Sequence, residues 1–140
     1  MTATAGTPTV VPYETTDYQT TSSTAASAET VAQTVTASVV IGEVYEITWH
    51  GNLNSTASGD EAVINIRTGT TTGGTQLDST TVYLPNSSRV YPGRLYAEWT
   101  ASATGAASFC LTTARAAGSG NVKRYANGNV GNRLKVKRKL

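Results

Sequence analysis

Apolar and polar residues alternate in short runs from residue 44 to residue 113. In 44–50, Tyr45, Ile47 and Trp49 fall on one side of an extended strand and Glu46, Thr48 and His50 on the other, because successive strand side chains point to opposite faces. The same period recurs in 62–68, where Ala62, Ile64 and Ile66 oppose Asn65 and Arg67. In 94–100, Leu95, Ala97 and Trp99 oppose Arg94, Tyr96 and Glu98, and in 106–115 Ala107, Phe109 and Leu111 form the apolar face. Further strands are expected around Val31, Val35 and Val39, and over 75–84, 122–125 and 133–139. Gly51-Asn52 and 54–59 read as a loop, 69–74 as a hairpin turn, and Pro85-Asn86 and Asn127-Gly128 as breaks. About eight strands at near-regular spacing, with no helical period, predict an all-β chain folded as an antiparallel β-sandwich, jelly-roll-like, with a closed barrel as the alternative.

Before residue 30 the pattern is missing. Residues 1–29 are rich in Thr, Ser and Ala, contain Pro8 and Pro12, and offer Val10, Val11, Tyr13 and Tyr18 as their only large apolar side chains. They are expected to form an extended or flexible N-terminal arm without a core of its own, with Tyr13 and Tyr18 as anchors on a neighbouring subunit. Residues 30–140 make the sandwich domain, which ends in a basic strand.

Charged residues are 14% of the chain, and the net charge is +2. The distribution is uneven. Eight acids (Glu14, Asp17, Glu29, Glu43, Glu46, Asp60, Glu61, Asp78) and one base, Arg67, precede Arg89; from Arg89 onward ten bases meet one acid, Glu98. Ends of opposite sign favour pairing within a chain or between copies. The opening residues Met1 to Ala5 lack the basic and apolar regions of a signal peptide, so synthesis in a cytoplasm is expected, and no apolar run approaches the ~18 residues of a membrane span.

No residues assemble into a catalytic pattern, and the chain is not expected to be an enzyme. The lone Cys110 lies in a strand-like run and reads as a buried, inert thiol. His50 reads as a surface histidine at a strand end, with Glu46 and Thr48 on the same face. Asp60-Glu61 reads as a solvated acidic loop without calcium-loop spacing. The run 69–74 resembles a phosphate-binding loop but lacks its Lys-Ser/Thr ending and a following helix. No metal site and no cofactor are expected. In the terminal stretch Leu134, Val136 and Leu140 alternate with Arg133, Lys135, Lys137 and Lys139, and Arg138 adds a further base. This is the pattern of an edge strand with one apolar and one basic face, suited to docking on an acidic neighbour or to edge protection by lysines. Aromatic residues are not interleaved with these bases, so nucleic acid is not an expected partner.

Two segments carry a family likeness. The first is Glu61-Ala62-Val63-Ile64-Asn65-Ile66-Arg67-Thr68-Gly69-Thr70-Thr71-Thr72-Gly73-Gly74-Thr75-Gln76-Leu77. The second is Tyr96-Ala97-Glu98-Trp99-Thr100-Ala101-Ser102-Ala103-Thr104-Gly105, followed by Phe109-Cys110-Leu111-Thr112-Thr113-Ala114-Arg115. Over roughly residues 34–120 the chain resembles small virion proteins of tailed actinobacteriophages, and more distantly the jelly-roll heads of trimeric proteins of the complement and tumour-necrosis-factor type. The resemblance implies a β-sandwich, often trimeric, that decorates a capsid or forms part of a tail, with the major capsid protein or other virion proteins as partners. It implies no catalytic residues. The absence of a fibrous region tilts the expectation towards a head decoration protein, with Tyr13, Tyr18, Arg133, Lys135, Lys137, Arg138 and Lys139 as candidate subunit or shell contacts. The alternative is a minor tail protein or carbohydrate-binding module, in which exposed Trp49, Trp99, Tyr83, Tyr91 or Tyr96 stack on sugar rings.

Overall fold

The computed structural model describes residues 14–140. Tyr13, one of the expected anchors, lies outside the described residues. Among the described residues nine strands form: β1 (Glu14–Gln19), β2 (Thr30–Val39), β3 (Val44–Ser55), β4 (Asp60–Thr68), β5 (Gln76–Leu84), β6 (Tyr91–Thr100), β7 (Gly105–Ala117), β8 (Val122–Tyr125) and β9 (Asn132–Arg138). They make two antiparallel sheets. One has the order β1-β9-β3-β6, with β8 also on β3, and the other the order β2-β7-β4-β5.

The pairings are nested: β4 with β5, β3 with β6, β2 with β7, and β1 with β9. This is one long antiparallel hairpin, closed at the 69–74 turn and rolled so that its successive pairs alternate between sheets. It is the strand order of a jelly roll, and the β-sandwich expected from the alternation is the fold observed. The sheets bury Trp49, Tyr45, Phe109, Ile47, Leu53, Ile64, Ile66 and Leu134 between them. Every one of these comes from the apolar phase of its strand, so the period-two pattern fixed which face turned inward.

Three expectations need correction. β1 lies inside the stretch read as an arm, and from Glu14 onward the chain belongs to the sandwich. What holds it is polar. The buried Gln33 amide donates to the Asp17 carbonyl (2.9 Å), the Asp17 carboxylate (2.9 Å) and the Asn132 carbonyl (3.2 Å), and its oxygen accepts from Trp49 Nε1 (3.1 Å). The next residues are tied by Arg124, whose side chain is 3% exposed. Its Nε donates to the Ala32 carbonyl and its Nη1 to the Thr21 carbonyl, both at 2.9 Å. Ala32 is the residue skipped at the register shift between β2 and β7, so Arg124 takes a carbonyl that the bulge leaves without a ladder partner.

Secondly, β9 is not an edge strand. It runs between β1 and β3, because β1 covers the side that would otherwise be free. Thirdly, β3 continues through Gly51 and Asn52 to Ser55, where a loop was expected. Its partner on that side is interrupted: β9 pairs with 45–50 and β8 with 52–55. The Asn132 side chain bridges the gap, accepting from Asn52 N (2.6 Å) and donating to the Tyr125 carbonyl (2.8 Å). Gly51 is required here, since a Cβ would strike Asn132 Oδ1 and the Trp49 indole.

Candidate functional site

The outer face of the β1-β9-β3-β6 sheet collects the side chains that the alternation turned away from the core. Cross-strand register arranges them in three rows. Tyr18, Arg133, His50 and Arg94 form the first; Thr16, Lys135, Thr48 and Tyr96 the second; Glu14, Lys137, Glu46 and Glu98 the third. Neighbouring rows lie two residues, or about 7 Å, apart along the strands.

The first two rows enclose two adjoining depressions. One, of about 400 Å³, is lined by Glu14, Thr16, Thr48, His50, Arg133 and Lys135. The other, of about 310 Å³, is bordered by Tyr18, Arg94 and Arg133 above the backbone of Gly51 and Gly93, and His50 and Arg133 belong to both. Beneath that glycine floor lies the Trp49 ring, which a Cβ at either glycine would strike. The Arg133 guanidinium stands 5.2 Å from the centre of the Tyr18 ring. Lys135 reaches Glu14 only at 3.9 Å, and among the described residues Arg94 and Arg133 form no ion pair. Burial, reinforced by Arg94, Lys135 and Arg133, pulls the His50 pKa below its ordinary value.

The third row has the opposite character. Tyr96 donates through its hydroxyl to Glu98 (2.9 Å) and Glu46 (3.2 Å), and Lys139 Nζ meets Glu98 at 2.6 Å. The two carboxylates push the Tyr96 phenol up to about 12, while Lys139 and Tyr96 hold Glu98 below its usual range. Arg138 Nη2 turns to Glu43 at 2.7 Å. Of the expected contact residues, Tyr18, Arg133, Lys135 and Lys137 therefore share one face, whereas Arg138 and Lys139 are engaged by acids of the same chain.

His50 and Arg94 complete the basic row, though the terminal stretch alone drew attention to its own bases. Alternation already turned both outward. What it lacked was strand order, which sets β9 and β6 on either side of β3.

Two other polar clusters are structural. Asp60, read as part of a solvated loop, opens β4 and is fully buried. It accepts from the Ser55 hydroxyl, from Ser119 N (2.9 Å) and from Gly120 N (3.0 Å), and these donors hold its carboxyl below the ordinary value despite burial. On the other sheet Glu29 accepts from Arg67 Nε (2.7 Å), Thr112 Oγ1 (2.7 Å) and Asn65 Nδ2 (3.2 Å), and Arg67 Nη1 reaches the Gly74 carbonyl (3.1 Å). The Arg67 of the resemblance motif thus fastens the strap before β2 to the 69–74 turn. Cys110 is buried and its thiol is pushed up by desolvation. Trp49 is wholly inside and Trp99 is partly covered between Tyr45 and Phe109, leaving Tyr18, Tyr83 and Tyr96 as the well-exposed tyrosines. Among the described residues no three His, Cys, Asp or Glu side chains gather where they would hold a metal.

No protein-family model and no curated protein matches the chain. Among solved structures, it is similar to one described as CBM4 structure and function, with 12% identity over 84% of this chain and 81% of the other, at a TM-score of 0.33. It is also similar to the infectious bursal disease virus Gx strain structure (10% identity, 91% of this chain, TM-score 0.42) and to the VP2 subviral particle of that virus (10%, 93%, TM-score 0.40). The chain spans 34% and 39% of those two viral chains. Its architecture is that of an all-β jelly roll, as its own strand order establishes.

Proposed function

We propose that this protein is a structural component of a virion, a capsid decoration protein of a tailed phage that binds the shell surface through repeated subunit contacts. The observation that carries the reading is the jelly-roll strand order, an architecture used for capsid and lectin domains, found in a chain whose 61–77 and 96–115 segments resemble actinophage virion proteins. Self-association as a trimer and docking on the major capsid protein belong to the same proposal. Arg94 and Arg133, which form no ion pair among the described residues, suit docking on an acidic shell surface.

Antibody labelling of intact particles of the phage that encodes the protein, viewed by electron microscopy, tests this. Label over the head is the expected result. Label at the tail alone would transfer the protein to the minor tail or receptor-binding class, and unlabelled particles would remove it from the virion. The sugar-stacking reading loses Trp49 to the core and most of Trp99.

A further inference from the structure

We propose that the adjoining depressions around His50 form a binding site for a single oxyanion group, a carboxylate, sulfate or phosphate, gripped between Arg94 and Arg133 with Lys135 as the third cation. Arg133 and Arg94 stand opposite His50 on the two strands that flank β3, so their backbones are about 10 Å apart, and all three residues line one depression, with the Arg133 guanidinium resting over the Tyr18 ring at its β1 side. Neither has a carboxylate partner among the described residues. A guanidinium presents paired N–H donors that match the oxygens of a carboxylate or phosphate, and two of them border the same depression. Thr16 and Thr48 line the first depression, the Thr16 hydroxyl donating to Glu14 (3.5 Å). The backbone of Gly51 and Gly93 forms the floor of the second depression.

The face also limits the size of the ligand. Glu14 lines the first depression beside Lys135, Glu46 and Glu98 continue the acidic row along the strands, and a long polyanion running that way would meet all three. One anionic group fits the first two rows; a continuous backbone of phosphates does not. The groups facing His50 are Glu14 and Tyr18 from β1, Arg133 and Lys135 from β9, and Arg94 from β6, with Glu46 further along its own strand. Burial and the neighbouring cations disfavour the imidazolium. A bound oxyanion offsets their charge and favours it, so binding and protonation of His50 reinforce each other.

His50 is the sole histidine of the chain, and its ring resonances therefore report the site without ambiguity. The intact protein is titrated with sodium sulfate, inorganic phosphate and glucuronate at constant ionic strength set with chloride, and the imidazole is followed by NMR. Saturable shifts are expected, with the His50 pKa rising by about half a unit or more at saturation. Arg94→Gln and Arg133→Gln should each weaken binding by about tenfold, the scale of one charge-assisted hydrogen bond, whereas Lys139→Gln should leave it unchanged. Saturation by sulfate and phosphate alone assigns the site to tetrahedral oxyanions, and saturation by glucuronate extends it to carboxylated sugars; both support the proposal. Shifts that stay linear and equal to those in chloride overturn it. So does a single-stranded oligonucleotide that binds more than about a hundredfold tighter than phosphate, since that result marks a polyanion track. The amide spectrum of each variant separates loss of binding from loss of fold.

Discussion

Single buried polar groups decide much of this fold. Gln33 satisfies the indole N–H of Trp49 and holds the edge strand β1 through the same amide. Gln33→Leu should lower stability by about 2 kcal/mol in chemical denaturation, because it leaves a buried donor without an acceptor. Thr113 is the converse case. Its hydroxyl is buried without a hydrogen-bond partner, so Thr113→Val should be neutral or raise stability by up to about 1 kcal/mol. Asp60 sets the acid limit. Its folded pKa is depressed below 3.8, so its contribution is complete above that value and is lost as pH falls through the folded one. Glu29, lowered chiefly by Arg67, acts in the same direction. Stability should therefore fall steeply below about pH 4, and more gently in Asp60→Asn, which starts about 3 kcal/mol lower. A pH series of denaturation midpoints checks both.

At the level of strands, what could be read from sequence was what periodicity records. The apolar phases of β3, β4, β6 and β7 were legible because large side chains mark them, and all turned inward as expected. β1 was not legible. Its run Glu14–Gln19 has no large aliphatic residue, and its attachment depends on Gln33 and on pairing with β9, both far away in sequence. Missing β1 is also what made β9 look like an edge. The proposed anion site was hidden for a different reason, since His50 and Arg94 become neighbours of Arg133 only once the β9-β3-β6 order is known. Removing residues 1–19 should uncover β9 as a free edge, lower the denaturation midpoint and promote association visible by light scattering.

Across the whole molecule, the charge asymmetry of the sequence is partly consumed inside one chain. Rolling the long hairpin brings the acidic start to the basic end, so that Glu14 meets Lys135 and Glu43 meets Arg138. On the outer face of the β1-β9-β3-β6 sheet, Arg94 and Arg133 form no ion pair among the described residues. Any attachment through that face should weaken as salt rises, with a slope that falls in Arg94→Gln.

The interruption between β8 and β9 has a practical corollary. Because the Asn132 side chain closes the ladder across the gap, and Asn127 and Val130 bond each other at its neck (2.9 and 3.1 Å), the sheet does not depend on how much chain lies between Gly128 and Asn129. That tip is a natural graft point. A peptide epitope inserted there should be displayed at the rim of the sandwich without lowering its melting temperature by more than a few degrees, whereas the same insertion in the 118–121 turn, where Asp60 grips the backbone, should unfold it.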